Sequence, residues 1–275
     1  MPQLSPTDNE QRAAAAFGKQ STVFDEQYGS DTIIQYKRNR VRAVLQAILP
    51  PHSYVLELNS GTGEDAIWLA QQGHRVHATD VSVGMQAVLQ QKVIAAGLTA
   101  AIGTELCSFT QLENLQQKGP YDGIFSNFAG LNCTGELNKV LAQFDGLLRP
   151  GGKAVLVVLP KFCLWELLLL FKGKFKTAFR RLMSKHGVPA HLEGQHFTCW
   201  YYNPSYIQQK LGPKFTLNKL EGLCTIVPPS YIAHFAERRP RLYQWLRRKE
   251  DKWKTAWPWK YWGDYYIIVL EKRKT

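Results

Sequence analysis

The sequence predicts an α/β protein with a doubly wound, mostly parallel sheet. Between residues 41 and 159, short apolar segments rich in β-branched residues alternate with segments of helical periodicity. Glycine and proline turns separate the segments, and polar side chains stand at the ends of the predicted strands: Glu57, Asp80, Ser108 and Asn127. Because the carboxyl ends of parallel strands share one edge of a sheet, we expect these side chains to surround a ligand.

The first half of the chain supplies five predicted strands and the helices between them. Val41, Val44 and Leu45 recur on one helical face, and the pair Pro50-Pro51 ends that helix. The predicted strands are Tyr54–Leu58, Arg75–Thr79, Thr99–Cys107, Tyr121–Ser126 and Lys153–Leu159. Further helices are predicted from the glycine loop to Gly73, over Gly84–Ala96 and over Glu136–Leu148. Strands and helices alternating at this spacing indicate βαβ units.

The second half is less regular. The segments H-F-T-C-W-Y-Y and K-F-T-L-N-K-L-E-G-L predict two strands flanking a helix over Pro204–Leu211. The segment G-D-Y-Y-I-I-V-L-E-K-R, which begins at Gly263, predicts a final strand. Between them, Pro240–Trp262 is basic and rich in tryptophan.

Charge divides the chain unequally. Residues 160–275 carry 22 Lys and Arg against 8 Asp and Glu, whereas residues 1–159 carry 12 against 14. The net charge of +12 therefore resides in the second half. This asymmetry predicts that the two halves face different partners.

The chain carries no signal for secretion, membrane insertion or zinc binding. The amino terminus lacks a basic segment followed by an apolar run. The longest apolar cluster, Phe162–Phe171, is about half the roughly 20 residues that a membrane span needs. The five cysteines are scattered without a C-x-x-C pair, which favours reduced thiols and no metal site. These features predict a cytoplasmic protein.

The loop V-L-E-L-N-S-G-T-G-E-D, Val55–Asp65, joins the first strand to a helix. From Gly61 it matches the dinucleotide pattern G-x-G-x-x-A, and Asp80 follows at the spacing of a ribose-binding acid, so a dehydrogenase is one interpretation. A pyrophosphate at a helix amino terminus is negative, however, and Glu64 and Asp65 in the first turn, together with Glu57 at the end of the strand, would repel it. The loop favours a ligand with a ribose and a positive centre but no phosphate.

With these residues, the sequence resembles the class I S-adenosylmethionine-dependent methyltransferases. Their first motif, an acidic residue followed by x-G-x-G-x-G, is matched by E-L-N-S-G-T-G from Glu57. Asn59 replaces the first glycine, and Asn tolerates a left-handed backbone. The resemblance runs roughly from Phe17 to Lys272. It implies a Rossmann-like, doubly wound seven-stranded sheet with an antiparallel last strand and a helical cap insertion after strand 5.

The resemblance also implies which residues contact the cofactor, S-adenosyl-L-methionine. Asp80 matches the acid that binds both ribose hydroxyls, and Met85 matches the apolar residue that encloses the adenosine. Ser108 stands where the family often has an Asp that contacts the adenine amino group. Tyr28 is implied as a lid residue, although packing against the sheet is an equal alternative. The implied contacts are Tyr28, Glu57, Asn59, Gly61, Gly63, Asp80, Val81, Met85, Ser108, Phe109, Asn127 and Phe128.

Four regions follow from this resemblance. Residues 1–51 are expected to form lid helices, and residues 52–160 the cofactor-binding core. Residues 161–262 are expected to form the substrate cap and the remaining sheet elements, and residues 263–275 the final strand of the core. No metal ligand is predicted.

The insertion Phe162–Lys185 is expected to bear on the acceptor. Its leucines and phenylalanines are interleaved with lysines and arginines, a composition typical of a helix lying on an anionic membrane surface. A helical cap over the substrate pocket is the alternative interpretation, and the two are compatible. Both favour a small, lipophilic or aromatic acceptor.

Two alternative functions remain open at this level. Basic charge with interleaved aromatics also fits an RNA or other nucleic-acid methyltransferase, but N-F-A-G follows strand 4 in place of a base-clamping motif. A protein that binds the cofactor without catalysis is the other alternative. If a catalytic base or an acceptor-orienting group is used, His196 and Tyr202 are the candidates, because both follow the insertion.

Overall fold

A computed structural model of the chain describes residues 6–20, 31–183, 186–192 and 194–274. The strands of its main sheet are β1 (Tyr54–Leu58), β2 (Arg75–Asp80), β3 (Ile102–Leu106), β4 (Tyr121–Ser126), β5 (Leu148–Val158), β8 (Phe215–Leu223) and β9 (Tyr265–Lys272). They lie in the order β3-β2-β1-β4-β5-β9-β8. Strands β1 to β5 are parallel, and β9 is antiparallel to both of its neighbours. The predicted fold class is confirmed, including the antiparallel last strand.

Helices cover both faces of this sheet. They are α1 (Pro6–Gln20), α2 (Thr32–Ile48), α3 (Glu64–Gln71), α4 (Val83–Ala95), α5 (Leu137–Leu147), α6 (Leu164–Leu167), α7 (Phe175–Phe179), α8 (Pro204–Leu211), α9 (Phe235–Arg238) and α10 (Pro240–Trp253). Short 3-10 helices occupy Phe109–Asn114, Gly130–Cys133, Leu168–Lys172, Gly212–Lys214 and Trp259–Tyr261.

Two apolar layers form because successive strand residues point to opposite faces. Leu56 of β1 packs in one cluster with Phe144 of α5 and Ile207 of α8. Its neighbour Val55 packs in the other cluster with Val41 of α2. The near-continuous apolar strands that the sequence shows are therefore buried on both sides, as expected of parallel strands.

Residues 188–199 form a hairpin outside the main sheet. Strand β6 (Val188–Leu192) pairs antiparallel with β7 (Gln195–Cys199). The sequence predicted a strand near β7 but no partner for it. The hairpin packs against α1, where the Asn9 side chain donates to the Thr198 carbonyl and accepts from the Thr198 amide at 2.6 Å.

The insertion after β5 consists of short helices. Gly173, with φ of +68°, separates the 3-10 turn that follows α6 from α7. Buried Glu166 anchors the insertion, because it accepts from Arg180 and Arg181, and Arg181 also donates to Asp264 just before β9. Among the described residues, no helix combines the length and the apolar character needed to cross a bilayer.

The basic helix α10 is attached to the core by a buried carboxylate. Glu250 accepts hydrogen bonds from the backbone amides of residues 224–227 and from the Tyr36 hydroxyl. Burial raises the pKa of Glu250, and these backbone donors and Arg40 oppose that rise. One face of α10 is therefore structural, and only the other is free to present its cations.

Candidate functional site

A cavity opens at the carboxyl edge of the sheet, where β1, β2 and β4 end. It encloses about 880 Å³, its mouth included. Helices α1 and α2 complete its wall, chiefly through Glu10 and Arg38. Nine of the implied cofactor contacts line it: Glu57, Asn59, Gly61, Asp80, Val81, Met85, Phe109, Asn127 and Phe128. Three of the four polar side chains predicted to surround a ligand, Glu57, Asp80 and Asn127, thus line one cavity.

The glycine loop follows β1 in a left-handed conformation. Asn59, Gly61 and Gly63 have φ of +49°, +56° and +82°. The Asn59 side chain accepts from the Ser126 hydroxyl at 2.6 Å and donates to the Asn127 carbonyl at 3.0 Å. Asparagine therefore adopts the backbone of the glycine it replaces and also ties the loop to the end of β4.

Gly63 shapes the loop without lining the cavity. A Cβ built on it would lie 2.0 Å from the Leu89 side chain of α4. Because of this close approach and its positive φ, only glycine fits here. Its predicted role as a direct contact stays a prediction.

Glu57 is the least satisfied charge in the cavity. It is 3% exposed, and its Oε2 has no hydrogen-bond partner in the described part of the chain. Burial raises the pKa of Glu57 well above its ordinary value, Asp65 adds to the rise, and Arg38 and Arg42 oppose it. A cation entering the cavity would find this carboxylate unpaired.

The other two carboxylates of the loop are already neutralised. Glu64 pairs with Lys92, and Asp65 accepts from Arg42 at 2.9 Å and lies 3.2 Å from the Arg38 guanidinium. The charge argument against a pyrophosphate therefore rests on Glu57, and not on all three carboxylates as the sequence indicated.

Asp80 joins the end of β2 to the glycine loop. Its Oδ2 accepts from the Gly61 amide at 2.9 Å, and its Oδ1 accepts from the Ser82 amide at 2.8 Å. Burial raises the pKa of Asp80, and its backbone donors offset that rise in part. A carboxylate has about four acceptor positions, so Asp80 still has acceptor capacity for a hydroxyl of a ligand.

Ser108 does not line the cavity. Its hydroxyl donates to Oε2 of Glu10 on α1, and it also accepts from the Thr110 amide. Phe109, the next residue, does line the cavity. The position implied as an adenine contact thus holds a glutamate from another element, which the sequence did not indicate.

Comparison with known proteins identifies this arrangement. Residues 55–152 match a family model described as a methyltransferase domain. Residues 55–152 form a methyltransferase domain.

One curated relative and two solved structures show how far the likeness extends. The tuberculostearic acid methyltransferase of Mycobacterium tuberculosis is 30% identical over 102 residues, which are 36% of this chain and 22% of that protein. The chain therefore matches less than a quarter of this relative's length.

Among solved structures, the 1,6-didemethyltoxoflavin-N1-methyltransferase of Burkholderia thailandensis has a TM-score of 0.61 at 15% identity, over 100% of this chain and 93% of that one. It was solved with 1,6-didemethyltoxoflavin and S-adenosylhomocysteine. The [4+2]-cyclase SpnF has a TM-score of 0.61 at 14% identity, over 97% of both chains. The fold is therefore shared across the whole chain, and a protein with this fold is also known as a cyclase.

The two predicted catalytic residues lie outside the lining of the methyltransferase domain's cavity. His196 is exposed on β7, with its ring centroid 4.4 Å from that of His191. Tyr202 is buried, and its hydroxyl donates to the Thr134 carbonyl. Burial raises the pKa of Tyr202. Their catalytic roles stay predictions, without geometric support. Tyr28 falls outside the described residues.

Among the cavity residues that sequence reasoning missed are two charged ones outside the glycine loop, Glu10 and Arg38. Both lie on helices that precede the methyltransferase domain, and both are 6% exposed. The sequence signal was a charged residue at a helical position where packing on the core would favour an apolar one. That signal does not distinguish a solvated residue from a buried one until the helix is placed.

Proposed function

We propose that the protein transfers a methyl group from S-adenosylmethionine to a small, lipophilic or aromatic acceptor. One observation carries this proposal: the cavity holds two buried groups of opposite charge, and each has one polar atom without a hydrogen-bond partner among the described residues. Neither Oε2 of Glu57 nor Nε of Arg38 has a hydrogen-bond partner among the described residues. A ligand with an ammonium and a carboxylate on the same carbon satisfies both, and the methionine part of the cofactor is such a ligand.

The remaining lining suits the nucleoside part of the cofactor. Asp80 retains acceptor capacity for two vicinal hydroxyls. Met85 and Phe109 are buried apolar residues that would cover a flat ring. Gly61 leaves open space, since a Cβ built on it would meet nothing within 4 Å. These residues fit the cofactor from one end to the other.

The chain contributes positioning to the reaction. When bound, S-adenosylmethionine supplies an electrophilic methyl group on its sulfonium. Asn127 and Phe128 wall the cavity at the end of β4, and the Phe128 ring lies 5.1 Å from the Arg38 guanidinium. Holding the acceptor in line with the methyl group replaces a chance encounter by a fixed one, which lowers the barrier.

Two features support a lipophilic acceptor. The relative that is 30% identical over 102 residues is named a tuberculostearic acid methyltransferase. The insertion also lies close to the wall of the cavity. Its Arg181 binds Asp264, and the ring of the next residue, Tyr265, lies 6.3 Å from that of Phe128.

A peripheral contact with an anionic membrane is part of this proposal. Six large apolar side chains are exposed within residues 168–183: Leu168, Phe171, Phe175, Phe179, Leu182 and Met183. Phe171 is 88% and Met183 81% exposed. Four exposed cations accompany them: Lys172, Lys174, Lys176 and Arg180. Residues 168–183 contain no Asp or Glu, and Glu166, two residues before them, is buried and paired.

This pattern favours a bilayer over a second copy of the chain or RNA. A two-fold dimer through this surface would bring its cations against their own copies, which is repulsive. Single-stranded RNA would stack on the aromatic rings but gains nothing from exposed Leu182 and Met183. An anionic bilayer suits both kinds of residue, because the apolar side chains can enter its acyl region while the lysines contact its headgroups.

Flotation with vesicles of phosphatidylcholine, with and without phosphatidylglycerol, tests the membrane contact. We expect binding to the anionic vesicles and its loss in the double variant Phe171→Ser/Phe175→Ser. The matched control Ile94→Ser/Leu106→Ser removes equally exposed apolar residues elsewhere and should bind like the wild type. Loss of binding on neutralising Arg248 and Lys249 of α10, with the insertion variant unaffected, would place the contact elsewhere.

Calorimetry with S-adenosylhomocysteine tests the cofactor site. Asp80→Ala should weaken binding by about 1.5–3 kcal/mol, the usual value of hydrogen bonds to a charged group. Unchanged affinity would refute the site.

Mass spectrometry of a native metabolite extract treated with enzyme and deuteromethyl-labelled cofactor tests the reaction. A labelled lipophilic product is expected. Cofactor binding without any labelled product would instead identify a non-catalytic binding protein.

A further inference from the structure

Glu10 of α1 carries a buried oxygen that nothing in the described chain satisfies. The residue is 6% exposed and lines the cavity, and its Oε1 has no hydrogen-bond partner. Its Oε2, by contrast, accepts from the hydroxyls of Ser108 and Thr110. An unsatisfied buried acceptor is costly, so Oε1 is suited to a donor that arrives with a ligand.

The order of the strands shows which part of a ligand reaches Glu10. Along the carboxyl edge, Phe128 follows β4, Glu57 ends β1, Asp80 ends β2, and Ser108, which holds Glu10, follows β3. Glu10 therefore lies at the opposite end of the row from Phe128, beyond Asp80. Apolar Phe109 and Met85 line the cavity as well.

We infer that Oε1 of Glu10 accepts a hydrogen bond from the exocyclic amino group of the adenine, so that Glu10 selects adenine over hypoxanthine. The inference rests on the proposed function, since it assumes a nucleoside with an amino acid tail. An ionised carboxylate only accepts hydrogen bonds, and hypoxanthine presents an acceptor oxygen at the same ring position. If hypoxanthine were bound, its oxygen and Oε1 of Glu10 would face each other as two acceptors, and this lowers the affinity for hypoxanthine. Ser108 acts through Glu10 and does not touch the ligand.

The variant Glu10→Gln distinguishes this role from a structural one. The hydroxyls of Ser108 and Thr110 donate to Oε2, so they hold the amide oxygen on their side. The amide nitrogen then takes the place of Oε1. A donor in place of an acceptor inverts the preference, because it matches the hypoxanthine oxygen and opposes the adenine amino group.

The experiment is calorimetric titration of the full chain with S-adenosylhomocysteine and with S-inosylhomocysteine. Wild type should bind the adenine ligand at least about tenfold more tightly, the least that one hydrogen bond to a charged group supplies. Glu10→Gln should bind the hypoxanthine ligand at least as tightly as the adenine one. Because both ligands meet the same sample, partial unfolding of the variant cancels from the ratio.

Glu113→Gln is the matched control. Glu113 is an exposed acid of the 3-10 helix Phe109–Asn114, which also carries Thr110, and it does not line the cavity. It should keep the wild-type ratio. If Glu10→Gln weakened both ligands by the same factor, or neither, Glu10 would be structural and the inference wrong. If wild type bound neither ligand, the proposed function would fail instead.

Discussion

At the scale of single residues, Glu57 should make cofactor binding depend on pH. Burial raises its pKa above the ordinary value of 4.5, so the carboxyl is still partly protonated at a pH where a solvated glutamate is ionised. A bound ammonium favours the ionised form, and binding therefore releases a proton. We expect the affinity for S-adenosylhomocysteine to increase as the pH rises through the raised pKa of Glu57. Calorimetry across a pH series measures this.

Glu57→Gln is the companion variant. It removes the titrating group while keeping its size, so its affinity should be lower above that pKa and flat across the same pH range. A slope that persists in Glu57→Gln would assign the titration to another group, of which Asp80 is the nearest candidate because burial raises its pKa too.

Asn59 shows how much a single residue could be predicted. Its left-handed backbone follows from local chemistry alone, because the motif needs that conformation and asparagine tolerates it. The hydrogen bonds to Ser126 and Asn127 could not be predicted, since they depend on β4 lying beside β1. Gly130 shows the same dependence, because a Cβ there would lie 2.2 Å from the Asn59 side chain.

At the scale of elements, the insertion is held by one buried ionic cluster. Burial raises the pKa of Glu166, but Arg180 and Arg181 lower it by more, and the net shift is downward. The two arginines differ in environment, with side chains 41% and 4% exposed. Of these two arginines, Arg181 is the one that also binds Asp264, just before the start of β9.

Arg181→Ala should therefore destabilise the fold far more than Arg180→Ala. Removing Arg181 leaves buried Asp264 without its arginine and deprives buried Glu166 of one of its two arginines, which costs about 3–5 kcal/mol. Removing the more exposed Arg180 should cost about 1 kcal/mol or less, because Arg181 still pairs with Glu166. Urea unfolding of both variants measures the difference. Equal losses would show that Arg181 carries no more of the cluster's stability than Arg180.

Among the strands and helices, some could be predicted from the sequence and others could not. Strands β1 to β5 were predicted because burial on both faces leaves long apolar runs in the sequence. The β6–β7 hairpin was not, because its exposed residues follow no strict alternation and its support is the distant α1. The insertion was predicted to be helical, but left-handed Gly173 divides it into short helices, and the apolar periodicity did not indicate that break.

At the scale of the whole molecule, the basic second half is not one charged surface. Arg40 of α2 pairs with Glu221 at 2.7 Å, and Glu250 of α10 is buried in the core, so charges from both halves are used in packing. That the two halves face different partners stays a prediction, and composition does not tell a structural cation from an exposed one. The lysines of the insertion combine exposure with neighbouring exposed apolar side chains.

Asn9 connects three separate parts of the molecule and should couple them to cofactor binding. Its side chain donates to the Cys133 carbonyl at 2.8 Å and exchanges hydrogen bonds with Thr198 of the hairpin. Asn9 is 1% exposed and does not line the cavity, but its neighbour Glu10 does. It therefore fixes α1 over the site without touching the ligand.

Asn9→Ala should weaken S-adenosylhomocysteine binding by about 1–2 kcal/mol, because binding must then order α1 without buried hydrogen bonds that each contribute about that much. Hydrogen exchange should show the reason. In wild type, the ligand should slow exchange in α1 and in the β6–β7 hairpin together, whereas in Asn9→Ala the hairpin should exchange at the same rate with and without ligand. Coupling that survived in the variant would mean that the contact of α1 with Phe197 and Cys133 suffices, and that the hydrogen bonds of Asn9 only contribute to stability.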